Sequence, residues 1–267
     1  GTGEFTIGTQ RIKGAVLQVG DLLYVTAPDH VWALDVRDGG ERWHYFWKTR
    51  GGPHIGNRGA ALWRDSLIFE TVDNYLVSLD AQTGEERWHT EIASFEEQYF
   101  STMAPIVVGD HLLVGTGNDL DAPGFLQSFD PETGELRIVG DDFDRPNGLC
   151  FSPDESILYV ADSGEPRHIR AFDVVDGEHI SNGRIFAVVR PGMPDGFRVD
   201  TKGNLFTSAW DGIQVYSPEG ELLGKVLVPE ERTANCSFGG PDKSRLFITA
   251  DRSLYSIKLN VTGAQTP

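Results

Sequence analysis

Cysteine is scarce in this sequence, and its two copies, Cys150 and Cys236, each stand within an apolar stretch. Two buried free thiols are therefore expected rather than a disulfide or a metal-binding pair, and they indicate no cellular compartment. No apolar run approaches the roughly 18 residues that a membrane-spanning helix needs. Residues 1–4 do not begin a basic segment followed by an apolar one, so no signal peptide is expected in this sequence. A periplasmic and a cytoplasmic location both stay open.

Basic residues are outnumbered, with 23 lysines and arginines against 40 aspartates and glutamates and a net charge of −17. Nucleic acids and anionic membranes bind through a positive face, so neither is expected as a partner. The acidic balance suits cation binding, and it is equally compatible with a well-solvated surface. We expect a monomer that binds a small molecule.

Several common catalytic motifs are also missing. The segment Gly115-Thr-Gly-Asn lacks the third glycine and the following helix of a dinucleotide site, and no Gly-x-Ser-x-Gly nucleophile elbow occurs. His44 and His89 each follow a repeated tryptophan, which favours repeat positions over metal ligands. No window shows a sustained helical period with caps, so essentially no helix is expected.

A unit of about 45 residues repeats along the chain. Its most regular part is a strand that ends in a turn closed by glycine, as in Trp32-Ala-Leu-Asp35-Val-Arg-Asp-Gly39 and Val77-Ser-Leu-Asp80-Ala-Gln-Thr-Gly84. Two short apolar strands precede each copy and one follows it. Four strands in each of six units predict an all-β fold, a single six-bladed β-propeller of four-stranded antiparallel blades, because isolated blades leave their edges exposed.

The sixth unit ends after Leu259 without its fourth strand. Residues 4–8 have a strand pattern, and we predict that they complete this blade and close the ring within one domain over residues 1–267. Two separate domains are the alternative. That alternative needs a linker, whereas the repeat continues unbroken across the middle of the chain.

The chemistry of the repeat changes near residue 140. Trp43 and Trp88 follow the turn in the first two units, where a large flat ring can wedge between neighbouring blades. The second half lacks this tryptophan. It carries instead the patterns Phe151-Ser-Pro-Asp-Glu and Phe238-Gly-Gly-Pro-Asp before the second strand.

Two sets of motifs carry family resemblances. The first set consists of Ala33-Leu-Asp-Val-Arg-Asp-Gly-Gly-Glu-Arg-Trp43, Gly56-Asn-Arg-Gly59, Ser78-Leu-Asp-Ala-Gln-Thr-Gly-Glu-Glu-Arg-Trp88 and Gly115-Thr-Gly-Asn-Asp-Leu-Asp-Ala-Pro-Gly124. Through these, residues 10–138 resemble the propeller of quinoprotein alcohol dehydrogenases, which bind pyrroloquinoline quinone. The second set consists of Arg145-Pro-Asn-Gly-Leu149, Pro194-Asp-Gly-Phe-Arg-Val-Asp200 and Asn235-Cys-Ser-Phe-Gly-Gly-Pro241. Through these, residues 145–263 resemble the family of gluconolactonase, senescence marker protein and luciferin-regenerating enzyme. The chain therefore resembles a hybrid, with quinoprotein-like blades in 1–140 and gluconolactonase-like blades in 141–267.

Alignment of the six repeats places one residue of each unit near the start of its innermost strand. These residues are Lys13, Arg58, Thr102, Asn147, Asp195 and Asn235. In a propeller these strand starts meet at the mouth of the central channel, which suits a preorganised site.

The lactonase resemblance implies that Asn147 and Asp195 bind a divalent metal, most simply calcium, with magnesium, manganese or zinc as alternatives. It also implies that Asp195 activates water as a general base while the cation polarises the carbonyl of a small lactone or ester. Arg58, Thr102, Asn235 and Asp119 are then the expected substrate-binding residues.

Two observations argue against this site. Asn-Gly and Asp-Gly are also ordinary turn formers, so a purely structural interpretation of Asn147 and Asp195 stays open. The lactonase family takes a further ligand, a glutamate, from its first blade, where this chain has Lys13, and Arg58 follows in the next blade. Two cations would weaken metal binding by repulsion. Acids after the second strands could compensate, namely Asp29, Asp73, Asp119, Asp162 and Asp211.

The quinoprotein resemblance places Arg58, Thr102 and Asp119 where that family contacts the quinone or its calcium. The dehydrogenase ring has eight blades, however, and its catalytic aspartate and tryptophan floor come from blades that are absent here. Pyrroloquinoline quinone is therefore not expected as the cofactor. Three hypotheses result: a metal-dependent lactonase, a hybrid propeller scaffold with little or no activity, and a quinone-binding remnant. The sequence favours the first.

Overall fold

The computed structural model describes residues 16–51, 57–118, 122–177 and 179–264, which form 24 β-strands and no helix. Within these ranges there is accordingly no helix that could cross a membrane. The strands pair into six antiparallel sheets. The predicted all-β fold class, a six-bladed β-propeller with antiparallel blades, is confirmed.

Two compact units divide the chain, Gly1–Asp141 and Asp142–Pro267. The described strands of the first unit are β1 (Leu17–Val19), β2 (Leu22–Ala27), β3 (His30–Asp35), β4 (Glu41–Phe46), β5 (Ala60–Trp63), β6 (Ser66–Glu70), β7 (Tyr75–Asp80), β8 (Glu86–Glu91), β9 (Tyr99–Phe100), β10 (Ile106–Val108), β11 (His111–Asn118), β12 (Gly124–Phe129) and β13 (Leu136–Phe143), of which β13 extends into the second. They form the sheets β1-β2-β3-β4, β5-β6-β7-β8 and β10-β11-β12-β13. The short strand β9, which the repeat did not predict, pairs with β11.

The second unit holds three further sheets. Its strands are β14 (Pro146–Phe151), β15 (Ile157–Asp162), β16 (His168–Val175), β17 (His179–Val188), β18 (Phe197–Val199), β19 (Leu205–Ala209), β20 (Gly212–Tyr216), β21 (Leu222–Leu227), β22 (Thr233–Gly239), β23 (Arg245–Ala250) and β24 (Leu254–Lys258). The sheets are β14-β15-β16-β17, β18-β19-β20-β21 and β22-β23-β24. The strand predicted to complete the last sheet, residues 4–8, lies outside the described residues.

The core of the first unit follows from the alternation of side chains along β6. Leu67 and Phe69 belong to the apolar cluster shared with the first sheet, whereas Ile68 belongs to the cluster shared with the third. Successive side chains of a strand point to opposite faces. The middle sheet therefore buries both faces, which explains why β6 is apolar at consecutive positions and buried at every residue.

Trp43 packs between the first and second sheets, as its place in the repeat predicted. Its indole Nε1 donates to the Ala81 carbonyl at 3.1 Å. A Cβ at Gly84 would lie 2.6 Å from the indole ring, and Gly84 has a left-handed φ of 75°, so both space and backbone require glycine there. Trp88 contacts Phe129 of the third sheet with ring centroids 5.1 Å apart.

The turn of the repeat is held by its aspartate. In the second blade the Asp80 carbonyl accepts from the Gly84 N–H at 2.8 Å, and Asp80 Oδ1 accepts from the Gln82 and Thr83 N–H groups at 2.9 Å. Its Oδ2 accepts from Arg87 at 2.7 Å. The Arg87 side chain is the main cause that lowers the pKa of Asp80 to about 2. The repeated aspartate, glycine and arginine thus have one local structural role.

The apolar core of the second unit contains both cysteines. Cys150 and Cys236 are buried free thiols, as predicted. Burial raises the pKa of both thiols, that of Cys236 to about 12, so neither is a nucleophile at neutral pH. Strand β14 begins at Pro146, so Asn147 lies within the strand near its start.

Candidate active site

Asn147 lies in β14, and hydrogen bonds determine the orientation of its side-chain amide. Its Nδ2 donates to the Ser163 hydroxyl oxygen at 3.1 Å, and that hydroxyl donates to the Pro194 carbonyl at 2.5 Å. A carbonyl can only accept and a hydroxyl has one proton, so Ser163 must accept from Asn147. The amide nitrogen therefore faces Ser163, and the amide oxygen points away from it.

A close backbone approach brings Asn147 next to Asp195. A Cβ at Gly148 would lie 2.1 Å from the Asp195 carbonyl oxygen, so β14 can touch this segment only with glycine at that position. Neither Gly148 nor Gly196 has a left-handed φ. Asn147 and Gly148 lie within β14 rather than in a turn, and close packing accounts for glycine at both positions.

Asn235 packs against the other side of the same segment. A Cβ at Gly196 would lie 2.1 Å from Asn235 Cγ and 2.2 Å from its Oδ1. The Gly196 N–H donates to the Ala234 carbonyl at 2.9 Å, and Asn235 Oδ1 accepts from the Cys236 N–H at 2.8 Å. The Asn235 amide is therefore held in place directly beside the residue that follows Asp195.

The second unit thus gathers three of the predicted site residues, Asn147, Asp195 and Asn235, all of them partly exposed. Sequence reasoning missed Ser163, which links Asn147 to Pro194, the residue before Asp195. The sequence contained one indication of Ser163: it directly follows β15, at a position where the repeat has a loop. Within the described ranges, no group of three histidine, cysteine, aspartate or glutamate side chains could hold a metal. A cation bound here would depend on one carboxylate together with amide and carbonyl oxygens.

In the second unit, two of the acids expected to offset the positive charges of Lys13 and Arg58 have structural roles. Asp162 Oδ1 accepts from the Arg145 N–H at 2.7 Å, and its Oδ2 accepts from the Asp144 N–H at 2.9 Å. Asp211 Oδ2 accepts from Lys225 Nζ at 2.6 Å. Both carboxylates hold their loops against the blade, which provides no support for a role as metal ligands.

In the first unit the corresponding acids are Asp73 and Asp29, and their hydrogen bonding differs. Asp73 Oδ1 accepts from Trp47 Nε1 and its Oδ2 from the Arg50 N–H, both at 2.9 Å. Asp29 is buried, and among the described residues neither of its carboxylate oxygens has a hydrogen-bond partner. His30 Nε2 lies 3.6 Å from Oδ1, too long for a hydrogen bond, and burial lowers the pKa of His30. Burial raises the pKa of Asp29 to about 6.

Arg58 and Thr102, two of the predicted substrate-binding residues, are joined within the first unit. The Arg58 N–H donates to the Thr102 carbonyl at 3.0 Å, across the segments that lead into the second and third sheets. Both residues are partly exposed. The remaining predicted residues of this unit, Lys13 and Asp119, lie outside the described residues.

Glu70 is a buried carboxylate that sequence reasoning missed. It ends β6 on the face of Ile68, toward the third sheet, and among the described residues no donor makes a hydrogen bond of ordinary geometry to either of its oxygens. The same holds for the buried Thr116 hydroxyl. Burial raises the pKa of Glu70 well above its ordinary value of 4.5, an effect partly offset by the Gly115 N–H. Asn57 Nδ2 donates to the Glu70 carbonyl at 2.8 Å and so connects this residue to the segment of Arg58.

The two histidines of the repeat contact local partners. His44 Nε2 lies 2.7 Å from His30 Nδ1, and the His44 ring stacks on Trp32. His89 Nδ1 lies 2.7 Å from Glu86 Oε1. These contacts stay within one blade each and account for both side chains without a ligand.

Comparison with known proteins gives one family match. The model of the SMP-30/Gluconolactonase/LRE-like region matches residues 61–252 and so includes part of both units. A gluconolactonase of Zymomonas mobilis is 33% identical over 140 residues, which are 49% of this chain and 39% of that protein. The chain therefore spans about two fifths of the length of this relative.

Solved structures of two kinds share the fold. A gluconolactonase from Xanthomonas campestris matches with a TM-score of 0.65 and 26% identity over 89% of this chain and 82% of that chain. A quinohemoprotein alcohol dehydrogenase from Pseudomonas putida matches with a TM-score of 0.62 and 20% identity over 82% of this chain and 42% of that chain. At that identity the second likeness concerns the fold alone.

Proposed function

The chain belongs to the SMP-30/gluconolactonase/LRE-like family, and on that premise we propose that it is a lactone hydrolase for sugar-type lactones or related small esters. One observation carries the proposal. The hydrogen bonds of Ser163 fix the Asn147 amide, and Gly148 lets β14 touch the backbone of Asp195. These contacts support a preorganised site to which the Asn147 amide oxygen and the Asp195 carboxylate both contribute.

The same residues fit a divalent cation. We propose that Asn147 and Asp195 hold it, with calcium as the first candidate, because amide and carboxylate oxygens are hard ligands. Magnesium, manganese and zinc are the alternatives. A cation bound there would supply polarisation of the lactone carbonyl. The fixed direction of the Asn147 amide supports this assignment, since its nitrogen is already used on Ser163.

The reaction then requires one proton acceptor. We propose that the Asp195 carboxylate accepts a proton from water as the water oxygen bonds to the carbonyl carbon. The bond between that carbon and the ring oxygen breaks, and the ring oxygen leaves as a hydroxyl with a returned proton. The product is an open hydroxy acid. Arg58, Thr102, Asn235 and Asp119 stay predicted substrate-binding residues.

Calcium titration and hydrolysis of glucono-1,5-lactone test this proposal on the whole chain. The Asp195→Ala and Asp195→Asn variants should lose kcat by at least about 100-fold, as expected when a general base is removed, and both should bind calcium more weakly. Asp251→Ala, at an exposed position, is the matched control and should hydrolyse like the unmodified protein. An Asp195→Ala variant with undiminished hydrolysis would refute the assignment.

We also propose that the two halves of the chain derive from different propeller families. The packed Trp43 of the first unit, which has no counterpart in the repeats of the second, supports this proposal. Thermal unfolding tests whether the chain binds the quinone. Added pyrroloquinoline quinone should leave the Tm unchanged, and a Tm that rises with quinone concentration would instead support a quinone-binding remnant.

A further inference from the structure

Trp210 and Arg167 form an aromatic and cationic pair to which the proposed reaction assigns no role. Trp210 is 41% exposed, a large fraction for a tryptophan. The guanidinium carbon of Arg167 lies over its ring at 5.9 Å from the centroid, near the outer limit of a cation–π contact. The pair therefore presents both an apolar ring and a positive charge to solvent.

The pair lies beside the segment that carries Asp195. The Ser208 N–H donates to the Gly196 carbonyl at 3.0 Å, so the antiparallel pairing of β18 and β19 continues to these two residues. Trp210 follows two residues later, and its own N–H donates to the Pro191 carbonyl at 3.3 Å. Because the strands run in opposite directions, Trp210 is placed next to the residues that precede Gly196.

Gly192 makes this approach possible. A Cβ there would lie 2.5 Å from Cγ and Cδ1 of Trp210, and the φ of Gly192 is +95°. Three peptide units join Gly192 to Asp195, which spans at most about 11 Å. Ser163 contacts the far end of the same segment at Pro194. One hexose-sized lactone could thus touch Trp210 and Asp195 together.

Arg167 differs from the other arginines that lie over aromatic rings. Those arginines, Arg50, Arg64 and Arg170, each also pair with at least one carboxylate. In the part of the chain that the structure describes, no carboxylate lies within ion-pair distance of Arg167. Arg167 is nevertheless partly buried, in a chain whose net charge is −17. A guanidinium without a carboxylate partner beside an exposed ring is suited to an anionic ligand.

We propose that Trp210 and Arg167 form a substrate subsite for sugar-type lactones and their sugar-acid products, an inference that rests on the proposed lactone hydrolase function. The indole ring packs against the carbon face of the sugar, and the Arg167 guanidinium pairs with the carboxylate of the ring-opened product. The subsite determines specificity by size and polarity: a lactone that lacks a carbon face long enough to reach Trp210 loses the contact.

Steady-state kinetics with glucono-1,5-lactone, with gluconate as product inhibitor, separate the two residues. Trp210→Ala should raise KM about tenfold and leave kcat within about twofold, the pattern of a lost binding contact. Trp210→Phe should restore most of the affinity because an aromatic surface remains. Arg167→Gln should weaken gluconate inhibition about tenfold. The control Arg64→Gln removes another arginine that lies over a tryptophan, Trp63, and should change neither constant.

Calorimetric titration with gluconate makes the subsite testable without turnover. Loss of gluconate binding in Arg167→Gln, in a protein that hydrolyses no lactone, would support the subsite and refute the proposed function. Hydrolysis with KM and gluconate inhibition unchanged in Trp210→Ala and Arg167→Gln would refute the subsite alone. A protein that neither binds gluconate nor hydrolyses the lactone overturns both. Circular dichroism of each variant confirms that it is folded.

Discussion

Replacing Glu70 by glutamine should change how the stability of the protein depends on pH. Glu70 is 1% exposed, and within the described part of the chain no donor makes a hydrogen bond of ordinary geometry to its carboxylate oxygens. Burial of an ionised carboxylate that lacks a cationic partner is strongly unfavourable, and the Gly115 N–H offsets this only in part, so the folded protein favours the neutral acid. Its pKa in the folded state is accordingly raised well above 4.5. Glutamine keeps the shape of the side chain and removes the titration.

The sign of the effect follows from proton binding. Above pH 4.5 the unfolded chain releases the Glu70 proton while the folded protein retains it, so folding takes up a proton and stability falls as pH rises. Each pH unit between the unfolded and folded pKa values costs about 1.4 kcal/mol. In the Glu70→Gln variant this loss is absent. The free energy of unfolding of the variant minus that of the unmodified protein should therefore rise from pH 5 to pH 8. An amide without partners adds an offset of about 1–3 kcal/mol that does not vary with pH.

Urea unfolding, followed by tryptophan fluorescence, measures this difference in the free energy of unfolding. Five of the six tryptophans precede residue 90 and so lie in the first unit, which also contains Glu70. Asp73→Asn is the matched control. Asp73 is also a buried carboxylate, but it accepts hydrogen bonds from Trp47 and Arg50. Loss of this carboxylate in Asp73→Asn should therefore lower the free energy of unfolding by about 1–3 kcal/mol. A difference for Glu70→Gln that stays flat from pH 5 to pH 8 would show that the carboxylate finds a partner in solution and would refute the reasoning.

Three further predictions concern packing in both units. Gly196→Ala should displace the Asn235 amide and lower kcat/KM for the lactone at least about tenfold. The control Gly224→Ala, whose Cβ meets nothing within 4 Å, should leave kcat/KM unchanged. Equal activity of the two variants would contradict the site geometry. Trp43→Ala should lower the free energy of unfolding by about 3–5 kcal/mol, and a loss under about 1 kcal/mol in urea titrations would show that the indole is not a core contact. Both thiols should stay unreactive toward Ellman's reagent until urea unfolds the chain, so a rapid reaction of the native protein would contradict their burial.

The glycines of the site show what a sequence pattern can and cannot decide. Asn147 with Gly148, and Asp195 with Gly196, are dipeptides that turns and binding sites both use. The structure places Asn147 and Gly148 within β14, and the short distances to Asp195 and Asn235 explain both glycines by close packing. Glycine is needed at Gly148 because of Asp195, 47 positions further along the chain, and no local pattern contains that information.

The sequence by itself determined the number of blades, the places of most strands and the burial of both cysteines. These properties depend on side chains that alternate along one strand and on turns of a few residues, such as that of Asp80 and Gly84, so a repeat of about 45 residues is enough to show them. Only the tertiary structure decided that the amide nitrogen of Asn147 faces Ser163, that the Glu70 carboxylate is buried, and that Trp210 lies beside the segment of Asp195. Each of these depends on hydrogen bonds and packing between residues far apart in the chain. Their geometry arises only when the sheets pack together.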